Sequence, residues 1–500
     1  MDETRANAEL IEKARQMCYP DSVAVIGASD NVLKWGSFLI ISLLKGGFEG
    51  PIYPINPKAE KVMGLTCYPS VVDCPGPVDL AFITLPQPLV LTAIADCKAK
   101  GVNNVVVITS GYSETGGPGA QFEKELAAAV RDSGMRMLGP NTMGMISTHQ
   151  KLSCTGANAQ PPRGGISMIS QSGNLGAQVM MWAEEQNVGV NKFFGTGNEG
   201  DLSCTDLLYY LAHDDSTNAV LCYLEGVDDG QAFLKVARET SEKKPVVILK
   251  SGRTEAGAKA AASHTGALAG SHEIFKGAMR QAGVIVVRQP QDLIDGAAGS
   301  YLPMPKGNRV AVVTLGGGWG VVASDLCADF NLKLPGLPQE VIDKLDKMLP
   351  SFWSRENPID LVGQVDPGIY ADALEAVVSS DRYDAILTLG LIGSSSFVAD
   401  TVENAHAVAP DTVTDVMMKQ VVDMSRGIEQ GMRDDIVRLT KKYGKPIVNV
   451  SLDKRHLQTV IPDGKGDFVV AFNTPEKAVR VLGGMAYYQA WRRSVGLPEL

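Results

Sequence analysis

Three times along this 500-residue chain a short run rich in Val and Ile gives way to a turn of small residues and then to a helical pattern. The three openings are VAVIGAS from Val23, ISMISQSGNLG from Ile166 and VAVVTLGGGWG from Val310. Short continuous apolar runs suit strands buried on both faces, and strands alternating with helices specify parallel α/β sheets. Further runs follow each opening: PIYPIN, VDLAFITLP and NNVVVITSG after the first; NKFFGTG, AVLCYLEG, PVVILKSG and VIVV after the second; AILTLGL and PIVNVS after the third. At about 150 residues per domain the length allows three such units. Polar, Pro-bearing stretches mark the joints, STHQKLSCTGANAQPPR at 147–163 and YLPMPKGN at 301–308. They place α/β domains at about 1–147, 163–300 and 309–500. The segment 400–440 is expected to form long helices inside the last of these.

Composition narrows the function classes. Hydrophobic residues at 45% and charged residues at 20% supply several cores and no wholesale disorder. A formal net charge of -10 argues against general affinity for nucleic acid or anionic membranes, while leaving room for a local basic pocket. The beginning, MDETRANAELIEKARQ, is charged and helix-prone, without the apolar core of a secretory signal, and no segment approaches the length of a membrane span. A cytoplasmic location is expected. The eight cysteines are scattered, with no CxxC pair and no Cys/His spacing that suits zinc, so they read as reduced thiols and no metal is expected.

The first opening continues as VIGASDNVLKWG, similar to a Rossmann turn but without GxGxxG. The second strand ends in Asn56 and Lys58, where an NAD site wants a carboxylate for the ribose hydroxyl. A lysine there suits a phosphorylated ribose, that of CoA or of NADP, and equally suits a solvated loop. The candidate binding residues are Gly27, Ser29, Lys34, Asn56 and Lys58, with Thr84, Pro86 and Ser110 at further strand ends bordering the same crevice.

In the second opening, Ser172, Gly173 and Asn174 begin a helix whose apolar side is expected to carry Leu175, Val179 and Trp182. Free N–H groups at such a helix start form an anion site, although a plain N-cap accounts for the Ser or Asn as well. Glu225 ends the run AVLCYLEG, and His264 stands among alanines and glycines in ASHTGALAG. A nucleophilic histidine needs a small-residue setting, an orienting carboxylate and a cradle of donors, and all three are available in this one domain.

The motifs VAVIGAS, YPINPK, GPNTMG, ISQSGNLG, GNEGD, YLEGVDDG, SHTGALAG and NPIDL occur in the order in which the NDP-forming acyl-CoA synthetases carry them. The chain resembles that family, which includes succinyl-CoA synthetase and the ADP-forming acetyl-CoA synthetases, over nearly its whole length. The resemblance implies a Rossmann-like CoA-binding domain followed by two flavodoxin-like parallel-sheet domains. It implies that His264 is transiently phosphorylated, that Glu225 supports its imidazole, and that Ser172, Gly173 and Asn174 hold the phosphate. CoA would be bound through the Gly27 to Lys34 turn and Lys58. The third opening departs from the family pattern at Leu315 and Trp319, where smaller residues are usual.

No GxxxxGK[ST] is present, and three assigned domains leave no room for the ATP-grasp domain by which the family phosphorylates its histidine. The expected protein is therefore an α subunit in a hetero-oligomer whose ATP-grasp β subunit holds ATP or ADP with Mg2+. The implied reaction joins a small carboxylic acid to CoA at the expense of ATP, reversibly, through acyl phosphate and phosphohistidine. Two other classes compete. A non-catalytic CoA-binding regulator or scaffold would need neither His264 nor Glu225, and an NADP-dependent oxidoreductase would explain Lys58 but not the second and third openings.

Overall fold

The computed structural model describes residues 3–259, 271–363, 366–451, 453 and 458–500. Two compact units divide the chain, Met1–Ile294 and Asp295–Leu500.

The first unit holds two main sheets. In the first sheet the strands are β1 (Val23–Ile26), β2 (Ile52–Ile55), β5 (Leu80–Ile83), β6 (Asn104–Val107) and β7 (Arg136–Leu138); β3 (Lys61–Val62) and β4 (Leu65–Thr66) form a small separate hairpin. The order is β2-β1-β5-β6-β7, all parallel. Helices α1 (Glu3–Cys18), α2 (Trp35–Gly46), α3 (Gln87–Lys100) and α4 (Pro118–Asp132) belong to this half of the unit. β1, β5 and β6 are buried at every position, as strands covered on both faces must be. The chain runs from β1 outward to β2 and then back past β1 to β5, so the winding reverses between β1 and β5. Ligand crevices of open α/β sheets lie at such reversals, beyond the carboxyl ends of the strands.

The second sheet contains β8 (Gly144–Ser147), β9 (Leu152–Thr155), β10 (Arg163–Ser170), β11 (Val190–Gly195), β12 (Ala219–Leu224), β13 (Val246–Lys250) and β14 (Ile285–Val287), in the order β14-β13-β12-β10-β11-β8-β9. Five strands are parallel; β8 and β9 run antiparallel, with β8 paired to β11. Residues 147–163, expected as a polar joint, thus contain β9 and contribute to a sheet. Two hydroxyls of β9 are paired: Ser153 Oγ with Ser42 Oγ of α2 at 3.0 Å, and Thr155 Oγ1, which donates to Met143 O at 2.7 Å. Here α5 (Gly173–Glu185) follows β10, α6 (Cys204–Ala212) follows β11 and α7 (Gly230–Lys243) follows β12. The winding reverses between β10 and β12.

In the second unit, β15 (Val310–Thr314), β16 (Ile359–Asp360), β17 (Ala385–Leu389), β18 (Ile447–Val450), β19 (Val460–Pro462) and β20 (Phe468–Phe472) pair in the order β16-β15-β17-β18-β20-β19, parallel except for β19. Its core includes Ala311, Val313, Ile359, Ile386, Ile436, Leu439 and Ile447. The 400–440 segment is two helices of this unit, Ser394–Val408 and Asp415–Tyr443. No helix among the described residues is long and apolar enough to cross a membrane.

Candidate functional site

At the first reversal, the ends of β1 and β5 meet through glycine. Gly27 has φ +97°, and a Cβ there would lie 2.5 Å from Thr84 Oγ1; a Cβ on Gly36 would lie 2.1 Å from Gly27 O. Helix α2 therefore rests directly on the β1 turn at Gly36. This close helix-strand approach is what a fingerprint glycine provides, reached here along a longer loop than GxGxxG allows. The amides of Gly27 and Ala28 both donate to Ile55 O, at 3.0 and 3.1 Å. Thr84 Oγ1 donates to Ile26 O at 3.1 Å, and Asn56 Nδ2 donates to Ala28 O at 2.8 Å while its Oδ1 accepts Lys58 N–H at 2.9 Å. Gly27, Asn56 and Thr84 thus build the crevice wall.

Ser29, Lys34, Lys58, Pro86 and Ser110 stand at its mouth. Lys34 immediately precedes α2 and Pro86 immediately precedes α3, and Lys34, Lys58, Pro86 and Ser110 are exposed. Ser29 Oγ accepts the Asn31 amide at 3.1 Å, and Asp30 is turned to the Met63 amide at 2.7 Å. Two ammonium groups and two helix N-termini beside one strand-end crevice fit a polyanion with several phosphates.

At the second reversal, Ser172 caps α5, its Oγ accepting Leu175 N–H at 3.4 Å. A Cβ on Gly173 would lie 2.1 Å from Met143 Cγ, and one on Gly176 would lie 2.7 Å from the Phe193 ring. The buried face of α5 is Gly176, Ala177, Val179, Met180 and Ala183. The expected face of Leu175, Val179 and Trp182 is corrected by this rotation: small residues let the helix lie close to the strands, while Leu175 and Trp182 are half-buried at its flanks. Asn174 is exposed.

Across the crevice Glu225 follows β12, 9% exposed, accepting Tyr223 Oη–H at 3.3 Å, with its carbonyl accepting Lys250 Nζ–H at 2.7 Å. Gln171 joins the two sides: its Oε1 accepts the Glu225 amide at 2.5 Å. Behind Gln171 lies Glu199, which burial pushes up to about 7 against the pull of its donors, the Cys204 amide, Gln171 and Thr196. Both residues stand in motifs quoted above, Gln171 in ISQSGNLG and Glu199 in GNEGD, and the motifs by themselves assign neither a role. The available signal was a polar side chain at a strand end beside a helix start. The structure brings Ser172, Gly173 and Glu225 to one crevice. His264 lies outside the described residues.

In the second unit the NPIDL motif is architectural. Asn357 Oδ1 accepts Val312 N–H at 3.0 Å and its Nδ2 donates to Val310 O at 2.9 Å, so the side chain substitutes for a neighbouring strand along β15. Trp319, in the first turn of the helix Gly317–Asp329, is 46% exposed. Among the described residues no group of three or more His, Cys, Asp or Glu converges on a possible metal site.

Comparison with known proteins finds three family models in sequence order: a CoA binding domain over residues 21–148, a succinyl-CoA ligase like flavodoxin domain over 163–299 and a Ligase-CoA domain over 310–434. The acetate–CoA ligase [ADP-forming] I subunit alpha of Pyrococcus furiosus is 34% identical over 478 residues, covering 95% of this chain and 97% of that protein. The chain belongs to the NDP-forming acyl-CoA synthetase family. A solved member, the dinucleotide forming acetyl-coenzyme A synthetase 1 of Ca. Korarchaeum cryptofilum in complex with phosphate and ADP, aligns with TM-score 0.82 at 33% identity, over 96% of this chain and 98% of that one. Acetate–CoA ligase [ADP-forming] I of Archaeoglobus fulgidus is 39% identical over 374 residues, 75% of this chain, which spans about half (54%) of that longer protein. Family membership gives the three sheets their kinds, a Rossmann-like CoA-binding domain and two flavodoxin-like ligase domains. It also places the first crevice inside the CoA-binding match and the second inside the succinyl-CoA ligase match.

Proposed function

We propose that this chain is the α subunit of an ADP-forming acyl-CoA synthetase, acting with an ATP-grasp β subunit that holds ATP or ADP and Mg2+, and that it works in the cytoplasm. The observation that carries the reading is the pair of crevices in one unit, the first offering Lys34 and Lys58 and the second setting the start of α5 against Glu225. The subunit names of the Pyrococcus relatives support the division between two chains, and the longer relatives suggest that the same parts also occur fused.

In the direction from acyl-CoA, a phosphate oxygen adds to the thioester carbonyl, the C–S bond breaks, and CoA leaves as the thiol after taking a proton. An imidazole nitrogen of His264 then attacks phosphorus, the P–O bond to the acyl oxygen breaks, and the carboxylate leaves. Glu225 accepts the N–H of the other ring nitrogen, which keeps the attacking nitrogen unprotonated and stabilises the charged ring afterwards. The start of α5 at Ser172, Gly173 and Asn174 faces the phosphoryl group, an arrangement worth about 1 kcal/mol at an exposed helix terminus and more when partly enclosed. Transfer to ADP on the β subunit completes the sequence.

Incubation with acetyl-CoA and radiolabelled inorganic phosphate should leave an acid-labile, base-stable phosphate on this chain. His264→Ala should abolish the label and Glu225→Gln should weaken it without changing CoA affinity, whereas Lys58→Ala should narrow the preference for CoA over dephospho-CoA. A His264→Ala chain that still labels would overturn the reading.

A further inference from the structure

Gln171 divides its side chain between two turns, the one after β12 and the one after β11. Its Oε1 accepts the amides of Glu225 at 2.5 Å and Gly226 at 3.2 Å; its Nε2 donates to Gly226 O at 2.9 Å and to Glu199 Oε1 at 3.0 Å. Its own amide donates to Tyr223 O at 3.2 Å, extending the β10–β12 pairing one residue beyond the strands. Residue 171 is also the one immediately before the α5 cap, so one side chain ties the turn that bears Glu225 to the chain that starts α5.

Glu199 is itself held. Thr196 Oγ1 donates to the same carboxylate oxygen at 2.9 Å, and the backbone of Glu199 adopts φ +59°, a left-handed conformation that a non-glycine residue keeps only when its surroundings impose it. The side chain it presents is what orients the Gln171 amide: the carboxylate requires the NH2 end, which leaves the carbonyl end for the Glu225 and Gly226 amides. With apolar atoms in place of Gln171, those two amides and the Gly226 carbonyl would lose the Gln171 side chain together, and Glu225 would be left to Lys250 Nζ on its carbonyl and Tyr223 Oη on its carboxylate.

We propose that Gln171 is the positioning residue of the second crevice, holding Glu225 against the start of α5, and that Glu199 holds Gln171 in the orientation this needs. The consequence for phosphoryl transfer rests on the functional reading above; the positional claim does not. The test therefore has two readouts on the full chain. Hydrogen exchange followed by mass spectrometry measures the protection of the Glu225 and Gly226 amides, and labelling by acetyl-CoA plus radiolabelled phosphate measures turnover against CoA affinity.

Gln171→Leu should lose the protection and slow labelling on the order of 10- to 100-fold, the scale expected of a misplaced catalytic group, with CoA affinity unchanged. Gln171→Glu alone should be worse, because it removes the donor to Gly226 O and sets two carboxyl groups against each other. Adding Glu199→Gln restores a donor to the new carboxylate, which still accepts both amides but cannot donate to Gly226 O, and should recover part of the protection and of the rate. Unchanged protection in Gln171→Leu overturns the proposal. Should that variant fail to fold, a double variant no better than Gln171→Glu alone overturns it as well. A wild-type chain that shows the expected protection and its loss, yet takes no label, supports the positioning role and removes the functional reading instead.

Discussion

Lys192 has no exposed surface, and its ammonium lies 2.7 Å from Asp214, 3.0 Å from Ser216 Oγ and 3.2 Å from Tyr19 Oη, with the centre of the Tyr19 ring 5.1 Å away. A buried ion pair need not be more stable than apolar residues of equal size, but removing one partner strands the other. Lys192→Met is therefore expected to cost roughly 3–5 kcal/mol in urea unfolding, toward the lower figure because Thr217 and Ser216 still donate to Asp214. Burial alone would raise the Asp214 carboxyl, yet Lys192 and the hydroxyls outweigh it and the folded value lies below the ordinary one. Its contribution to stability is thus present above the unfolded value of about 3.9 and disappears as the pH falls through the folded one, a slope the Lys192→Met chain should lose. Legibility divides the same way at single positions. The positions of Ser172 and Glu225 just past the ends of β10 and β12 are legible because strand ends are readable. Gln171 could not be assigned a role, because its partners depend on the pairing of Ser170 with Tyr223, which no local pattern contains. Lys192, inside the apolar run NKFFGTG, passes for an exposed position until Asp214 is seen folded against it.

Among the elements, α5 shows how much depends on two missing methyl groups. Ala is a better helix former than Gly by roughly 1 kcal/mol, so Gly176→Ala would stabilise an isolated helix. In place, the added carbon would lie 2.7 Å from the Phe193 ring and 2.9 Å from Ser170 Cβ, so the expected outcome is a loss of roughly 1–3 kcal/mol. Gly277, in the helix His272–Gln281, has nothing within 4 Å of its would-be Cβ, and Gly277→Ala should gain up to about 1 kcal/mol. Urea unfolding of the two variants separates packing from propensity. The parallel strands were legible because burial on both faces writes an unbroken apolar run. Strand β9 was not, because LSCT is also buried on both faces but uses Ser153 and Thr155, whose hydroxyls are paired by Ser42 and Met143, and small polar residues read as loop. The face of α5 is hidden in the sequence for a related reason: bulk ordinarily marks burial, whereas close approach here requires its absence.

For the whole molecule, the turn after β11 ties the second crevice to the stretch that follows β6. Asn198 Nδ2 donates to Glu114 at 2.5 Å and to Glu123 at 2.8 Å, both from the stretch between β6 and the middle of α4, while its neighbour Glu199 serves Gln171. Both crevices, and both sides of this turn, lie within Met1–Ile294. The pairing of β8 with β11 has a practical consequence. Phe193 and Phe194 of β11 are fully buried, and the backbone beside them is paired to Met145 and Ile146, residues that precede the apparent joint. A polypeptide cut at 163 would present that ladder unpaired, as an adhesive border able to recruit a strand from a second molecule. Fragment 163–299 should accordingly scatter light in proportion to concentration and precipitate on warming, whereas 142–299, which keeps β8 and β9 as its own guard strands, should stay dispersed.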